Sequence, residues 1–288
     1  MKTLILLRAL RPRHWVKNLL VFVPIVVGHE VDDPLRLGRG VLAFIAFCLV
    51  ASAGYLVNDL VDLDHDRARP TRRHRPFAAG VLDPRLGHIA APVLIMAGFG
   101  VALLTRIPLF LPTLAAYVAI SLSYTFVFRR YLLLDVLVLT GLYCIRLIGG
   151  GIATGTPVSN WLLSFSTFFF LSLALLKRYT ELRANNATGR RYGVEHAALV
   201  RTIGPLSGYM AILVLCLYSG SVAARLLYAW PVGLLAGALL LGYWITRIWT
   251  LAQRGALDDD PIIFATRDPF TYVVAVLLAI VMVVSTAA

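Results

Sequence analysis

Carboxylates are few in this chain, and the densest group is Asn58-Asp59-Leu60-Val61-Asp62-Leu63-Asp64-His65-Asp66. Wound as a helix at 100° per residue, Asn58, Asp59, Asp62 and Asp66 fall within an arc of about 100°, and Asp64 points to the other side. Three like charges on one face repel one another unless a cation joins them. Hard oxygen ligands suit Mg2+, which keeps several waters and completes its shell with substrate phosphate oxygens. The spacing predicts a metal site built from Asp59, Asp62 and Asp66, with Asn58 helping to orient them. A solvated Asp-rich loop is the plain alternative, but these carboxylates continue directly from a long apolar run.

Cations follow at once: Arg67, Arg69, Arg72, Arg73 and Arg75, in a stretch with Pro70 and Pro76. Beside a metal-binding face they fit a diphosphate, because guanidiniums clamp the phosphate oxygens that the metal leaves over. Two further stretches combine charge with aromatic residues. Lys177-Arg178-Tyr179-Thr180-Glu181 places Lys177 and Glu181 one helical turn apart, which is either an ordinary surface pair or part of a site. Arg11-Pro12-Arg13-His14-Trp15-Val16-Lys17-Asn18 has the composition of an interfacial helix, from which Lys17 and Asn18 could point inward to anions. Asp135 and Arg146 stand alone in apolar surroundings, and ionisable groups at such depth usually face a bundle interior or a transport path. Gly149-Gly150-Gly151 lacks the Lys-Ser/Thr of a phosphate-binding loop and is expected to end a helix. Cys48, Cys144 and Cys216 lie in apolar runs without metal-ligand spacing, so neither a disulfide framework nor a zinc site is indicated.

The elements that must position these groups are membrane helices. Of 288 residues 59% are hydrophobic and 15% charged, which excludes an ordinary soluble domain. Apolar runs recur at nearly the ~20 residues that cross a bilayer as a helix. The reading is an all-α polytopic bundle of nine transmembrane helices at about 15–29, 39–58, 88–105, 108–128, 131–150, 159–177, 203–224, 227–246 and 269–287. Residues 1–288 form a single domain in this reading, with working loops at about 59–87 and 177–202, and the first span is expected to be retained. The net charge of +12 would suit nucleic acid, but the charges sit between the apolar runs. With the N-terminus inside and the C-terminus outside, 22 of the 27 Lys and Arg fall on the inner side, as do eleven of the fifteen Asp and Glu. Cations alone would anchor a surface; the accompanying acids point to chemistry on the inner face. No nucleic-acid partner is indicated, and a homo-oligomer is neither required nor excluded.

The run Asn58-Asp59-x-x-Asp62-x-x-x-Asp66, followed by Arg75-Pro76 and Gly80 after the second of nine helices, resembles the UbiA superfamily of intramembrane prenyltransferases. The likeness extends over nearly the whole chain. It implies two acidic motifs, after the second and sixth helices, that bind Mg2+ and a prenyl diphosphate above a lipid-filled bundle. This chain departs at the second motif, where Lys177-x-x-x-Glu181 replaces Asp-x-x-x-Asp, a change that favours direct binding of extra anionic groups. With the 11–18 stretch, Leu176-Lys177-Arg178-Tyr179-x-Glu181-Leu182 and Asp258-Asp259-Asp260-Pro261, it is similar to the branch that transfers phosphoribose to decaprenyl phosphate in cell-wall arabinan synthesis. That branch implies the substrates phosphoribosyl pyrophosphate and a polyprenyl phosphate, and an active site on the cytoplasmic side of the plasma membrane. Lys17, Arg72, Arg73, Arg75, Lys177 and Arg178 would divide among the phosphates, with Asn18 and Glu181 beside them and Tyr124 on polar sugar or phosphate groups. An aromatic or isoprenoid prenyltransferase is the second reading, and a transporter using Asp135 and Arg146 the third.

Overall fold

The computed structural model describes residues 2–68, 72–183, 194–257 and 260–287. Arg69, Pro70, Asp258, Asp259 and the middle of the 177–202 loop lie outside them. In chain order the helices are α1 (Lys2–Ala9), a 3-10 helix (Pro12–Phe22), α2 (Val23–Val27), α3 (Pro34–Val61), α4 (Leu63–Arg67), α5 (Pro84–Leu104), α6 (Phe110–Phe126), α7 (Leu132–Thr154), α8 (Asn160–Arg183), α9 (Ala197–Ser219), α10 (Val222–Leu227), α11 (Leu234–Arg254), α12 (Pro261–Ala265) and α13 (Pro269–Ala287). Local chemistry sets several starts. Asp-Pro pairs open α3, α5, α12 and α13: proline supplies a helical φ at the first turn, and the preceding carboxylate accepts backbone N–H groups that have no intrahelical partner. Asp33 takes Leu35 N at 2.9 Å, Asp83 takes Arg85 N at 2.8 Å, Asp260 takes Ile262 N at 3.1 Å and Asp268 takes Thr271 N at 3.0 Å.

Among the described residues seven helices are long and apolar enough to cross a bilayer: α3, α5, α7, α8, α9, α11 and α13. Over the described residues the chain is all-helical, and its run of apolar helices makes it a multi-pass membrane protein. An eighth apolar helix, α6, is shorter, at 17 residues. The first of the nine expected spans, 15–29, is not a continuous α-helix; it winds as the 3-10 helix and then as α2. Hydropathy registers its apolar content and is blind to winding. Lys17 and Asn18 are buried within it, and its backbone lies hard against α7: a Cβ on Gly150 would sit 2.1 Å from Val21 O. That close approach requires Gly150, and a Cβ on Gly149 would meet the Phe47 ring at 2.9 Å; the triplet 149–151 lies inside α7 and does not end it.

Packing divides the chain into two compact units, Met1–Val127 with Ile145–Pro157, and Phe128–Cys144 with Val158–Ala288. In the first, α3 is the hub, packed by α1, the 3-10 helix, α5 and α6. Lipid tails are as apolar as leucine, so such helices associate through close contact at small residues. Gly98 of α5 fits this: its Cβ would lie 2.7 Å from Val50. In the second unit α9 packs on α8 and α11, and α13 on α11. Trp249 of α11 lies over Gly204 of α9, where a Cβ would meet the indole at 2.1 Å, and its Nε1 donates to Ser172 Oγ of α8 at 3.0 Å. One indole thus ties three helices.

Candidate active site

In the first unit, the acidic run starts on the last turn of α3. Asp62 caps that helix and α4 follows directly, with Asp66 N donating to Asp62 O at 2.8 Å. Helical spacing therefore persists, and Asp59 and Asp66, seven residues or two turns apart, share a face. Arg75 joins them, with Nη1 3.2 Å from Asp59 Oδ1 and 2.6 Å from Asp66 Oδ2. Arg72 Nη1 stands 3.8 Å from Asp66 Oδ1. Asp59 also accepts from Arg11 Nη2. Both carboxylates are buried, at 3% and 1% exposure, whereas Arg11, Arg72 and Arg75 keep 26%, 33% and 23%. Asp64 points away and is 94% exposed, 3.7 Å from Arg67.

Other expected groups in this unit go elsewhere. Asn58 accepts from Thr125 Oγ1 at 2.5 Å, so it faces α6. Asn18 is not turned toward an anion: its Oδ1 accepts from Arg146 Nε at 2.8 Å and its Nδ2 donates to Cys48 Sγ at 3.2 Å. Arg146 also donates to Tyr117 OH at 2.7 Å, so this intramembrane cation is built into the packing of its own unit. Lys17 is buried, Tyr124 is half-buried and Arg73 is exposed.

Three converging carboxylates were expected, but among the described residues no three His, Cys, Asp or Glu side chains group as a metal site. The first unit offers a pair, and a pair fits Mg2+, which commonly takes one or two protein carboxylates and fills the rest of its shell with water and substrate phosphate. Asp66 Oδ1 supports the fit, since it is buried without a hydrogen-bond partner among the described residues.

In the second unit, the end of α8 carries the other cluster. Arg178, expected on a substrate phosphate, is 1% exposed and bound at both ends by carboxylates. Its Nε and Nη2 lie 2.7 and 3.0 Å from the two oxygens of Asp135, itself fully buried, and its Nη1 pairs with Glu181. Asp135 is thus neutralised by a partner 43 residues away and does not stand alone in the membrane. Lys177 Nζ lies 3.4 Å from Asp260 Oδ2 and the lysine keeps 29% exposure. Arg183 donates to Ala252 O at 3.1 Å and to Gln253 O, closing the end of α11. Sequence reasoning missed Arg11 as a partner of Asp59; its position in a run of basic and aromatic residues was the available signal.

Comparison with known proteins agrees with the fold. The sequence model of the UbiA prenyltransferase family matches residues 20–267. The chain is 37% identical over 286 residues to nodulation protein NoeC of Azorhizobium caulinodans, covering 96% of this chain and 91% of that protein. It is 37% identical over 281 residues to protein y4nM of Sinorhizobium fredii, covering 95% of this chain but 54% of that one, so it spans about half the length of that relative. Identity to the decaprenyl-phosphate phosphoribosyltransferase of Mycobacterium tuberculosis is 40% over 190 residues, or 63% of this chain and 61% of that one. Among solved structures, a UbiA homolog from Archaeoglobus fulgidus bound to DMAPP and Mg2+ superposes with a TM-score of 0.72 at 14% identity, over 98% of this chain and 99% of that one. A family match over most of the length, on a chain with this helical architecture, places the protein in the UbiA prenyltransferase family.

Proposed function

We propose that the protein transfers 5-phosphoribose from phosphoribosyl pyrophosphate to a polyprenyl phosphate, releasing diphosphate, at the cytoplasmic face of the plasma membrane. The observation that carries this reading is Lys177, a cation standing where the family's second motif has a carboxylate. A prenyl diphosphate brings two phosphorus centres, whereas phosphoribosyl pyrophosphate with a lipid monophosphate brings four and needs more cationic groups. Relatives named decaprenyl-phosphate phosphoribosyltransferase support the same choice. The nine-span, N-inside arrangement belongs to this proposal.

In the reaction the bond from ribose C1 to the diphosphate oxygen breaks, and a bond from C1 to a lipid phosphate oxygen forms on the opposite face. No covalent enzyme intermediate is needed. Asp59 and Asp66 would hold a divalent cation, with Asp62 as its neighbour, and that cation would neutralise the leaving diphosphate. Arg72 and Arg75, already at the carboxylates, bind diphosphate oxygens, Lys17 and Arg73 serve the remaining phosphates, and Lys177 makes a phosphate contact of its own. Arg178 orients Glu181. Tyr124 stays assigned to polar sugar or phosphate groups. Prenyl transfer from a prenyl diphosphate is the second reading, favoured by the family itself.

Membranes containing the protein, incubated with ribose-labelled phosphoribosyl pyrophosphate, test this. Label should enter the organic phase only when polyprenyl phosphate is added, disappear with EDTA and return with Mg2+. Label confined to the aqueous phase under all these conditions rejects the proposal.

A further inference from the structure

The N-terminal segment delivers to the carboxylate pair a guanidinium whose backbone is held under constraint. Ala9 is buried in a cluster with Ala53, Leu56 and Phe77. One residue on, Leu10 O accepts from Ser52 Oγ at 3.1 Å, and that hydroxyl accepts from Trp15 Nε1 at 3.0 Å. Arg11 sits between these anchors at φ 52 and ψ 59, a left-handed conformation that a non-glycine residue keeps only where its surroundings impose it, and such residues cluster at functional sites. Its guanidinium passes over the Tyr55 ring, 5.3 Å from the centroid, and ends on Asp59 Oδ1. That oxygen also takes Arg75.

Arg11 and Arg75 thus stand against Asp59, and Arg75 and Arg72 against Asp66. A divalent cation coming to Asp59 Oδ1 competes with Arg11 for the same oxygen. Arg11 is a quarter exposed, so it can leave without vacating a sealed core, and it is released beside the place where a diphosphate must sit.

We propose that Arg11 is a substrate-binding residue that exchanges between Asp59 and the substrate: it pairs with Asp59 when no cation is on that carboxylate and passes to a diphosphate oxygen when a divalent cation takes it. The inference rests on the reading of Asp59 and Asp66 as the cation's carboxylates, and it holds whether the donor carries ribose or a prenyl group. Cation and diphosphate are thereby coupled, since each makes room or charge for the other.

Mn2+ titration followed by electron paramagnetic resonance, on full-length protein in phosphatidylcholine nanodiscs with and without inorganic diphosphate, reads both halves of the exchange. Arg11→Gln should bind Mn2+ alone at least about 5-fold more tightly and the Mn2+–diphosphate pair at least about 5-fold more weakly than the wild type, with Arg11→Lys restoring much of both. Unchanged or weakened Mn2+ affinity in Arg11→Gln overturns the proposal. A measurement on the wild type keeps it testable if that variant does not fold: phenylglyoxal modification of Arg11, read by mass spectrometry, should rise with Mn2+ alone and fall again with diphosphate. Equal modification in all three states overturns it too. Asp66→Asn separates the two levels. If Mn2+ binding survives that change, the carboxylate reading itself fails; if binding needs Asp66 and ignores Arg11, only the exchange fails.

Discussion

The acidic cluster at the end of α3 and the one at the end of α8 are built from the same groups, carboxylates joined by arginine, yet they differ in what can leave. In the first, two buried carboxylates are held by arginines that keep about a quarter of their surface exposed. In the second, Arg178 and Asp135 are both sealed, at 1% and 0% exposure. A sealed, two-ended ion pair is lost only with strong destabilisation, because removing one partner strands the other charge in a low dielectric. A pair whose cations reach solvent can trade them for a ligand. Charge composition alone does not separate a site from a clamp; burial of the cation does.

The largest expected effect breaks the first cluster. Asp66→Asn or Asp59→Asn should lower kcat by roughly a thousand-fold or more, because a charged ligand is removed at constant volume. Asp62→Asn should also cost activity, whereas Asp64→Asn should stay within about two-fold, and equal losses at Asp64 and Asp66 in steady-state assays would reject the single-face arrangement. The second cluster should break as a fold element. Asp135→Asn should lower unfolding stability by about 3–5 kcal/mol, and the double change Asp135→Leu with Arg178→Met should recover most of it. If thermal melts show Asp135→Asn as stable as the wild type, the clamp description is wrong.

Lys177 sharpens the comparison, being a cation of the second cluster that keeps 29% exposure beside Asp260. A charge-assisted phosphate contact is worth about 1.5–3 kcal/mol, so Lys177→Ala should lower kcat/KM for phosphoribosyl pyrophosphate roughly 10- to 150-fold. Lys177→Asp should be worse, since it restores a family-like carboxylate but repels the anion. Activity preserved in Lys177→Asp would favour the prenyl-diphosphate reading.

The smallest effect concerns an ion pair outside both clusters. Arg247 grips Asp268 through two contacts of 2.6 and 3.0 Å, and its hydrogen bond, helped by Thr271, holds that carboxyl below the ordinary value of 3.8. A lowered carboxylate contributes stability that is complete above its unfolded value and is lost as pH falls through the folded one. Asp268→Asn should therefore lower Tm by an amount worth about 1 kcal/mol at pH 7, and the difference should vanish as the pH drops below 3.8. A gap that persists in acid would assign the effect to packing.

Much of this was legible in the sequence, for identifiable reasons. Apolar runs of near-spanning length marked α3, α5, α7, α8, α9, α11 and α13, because hydropathy and helix length are local. The two-turn spacing of Asp59 and Asp66, and the outward Asp64, follow from helical periodicity alone. What stayed hidden depends on tertiary contact. Arg11 and Asp59 are 48 residues apart, and Arg178 and Asp135 are 43 apart, so no local pattern links them. Asn18 reads as a candidate anion ligand until Arg146, 128 residues away, is seen on its Oδ1. Gly150 reads as a helix end because the backbone of Val21 that requires it comes from a distant segment.

The central claim, phosphoribosyl transfer with diphosphate as leaving group, is tested most directly by the fate of each phosphate. Phosphoribosyl pyrophosphate carrying 32P either on the 5-phosphate or on the terminal phosphate of the diphosphate is incubated with the protein, Mg2+ and polyprenyl phosphate, and the lipid is extracted. The 5-phosphate label should move into the lipid while the terminal label remains in water as free diphosphate. Terminal label in the lipid, or no label there while a prenyl diphosphate is consumed by the same preparation, would contradict it.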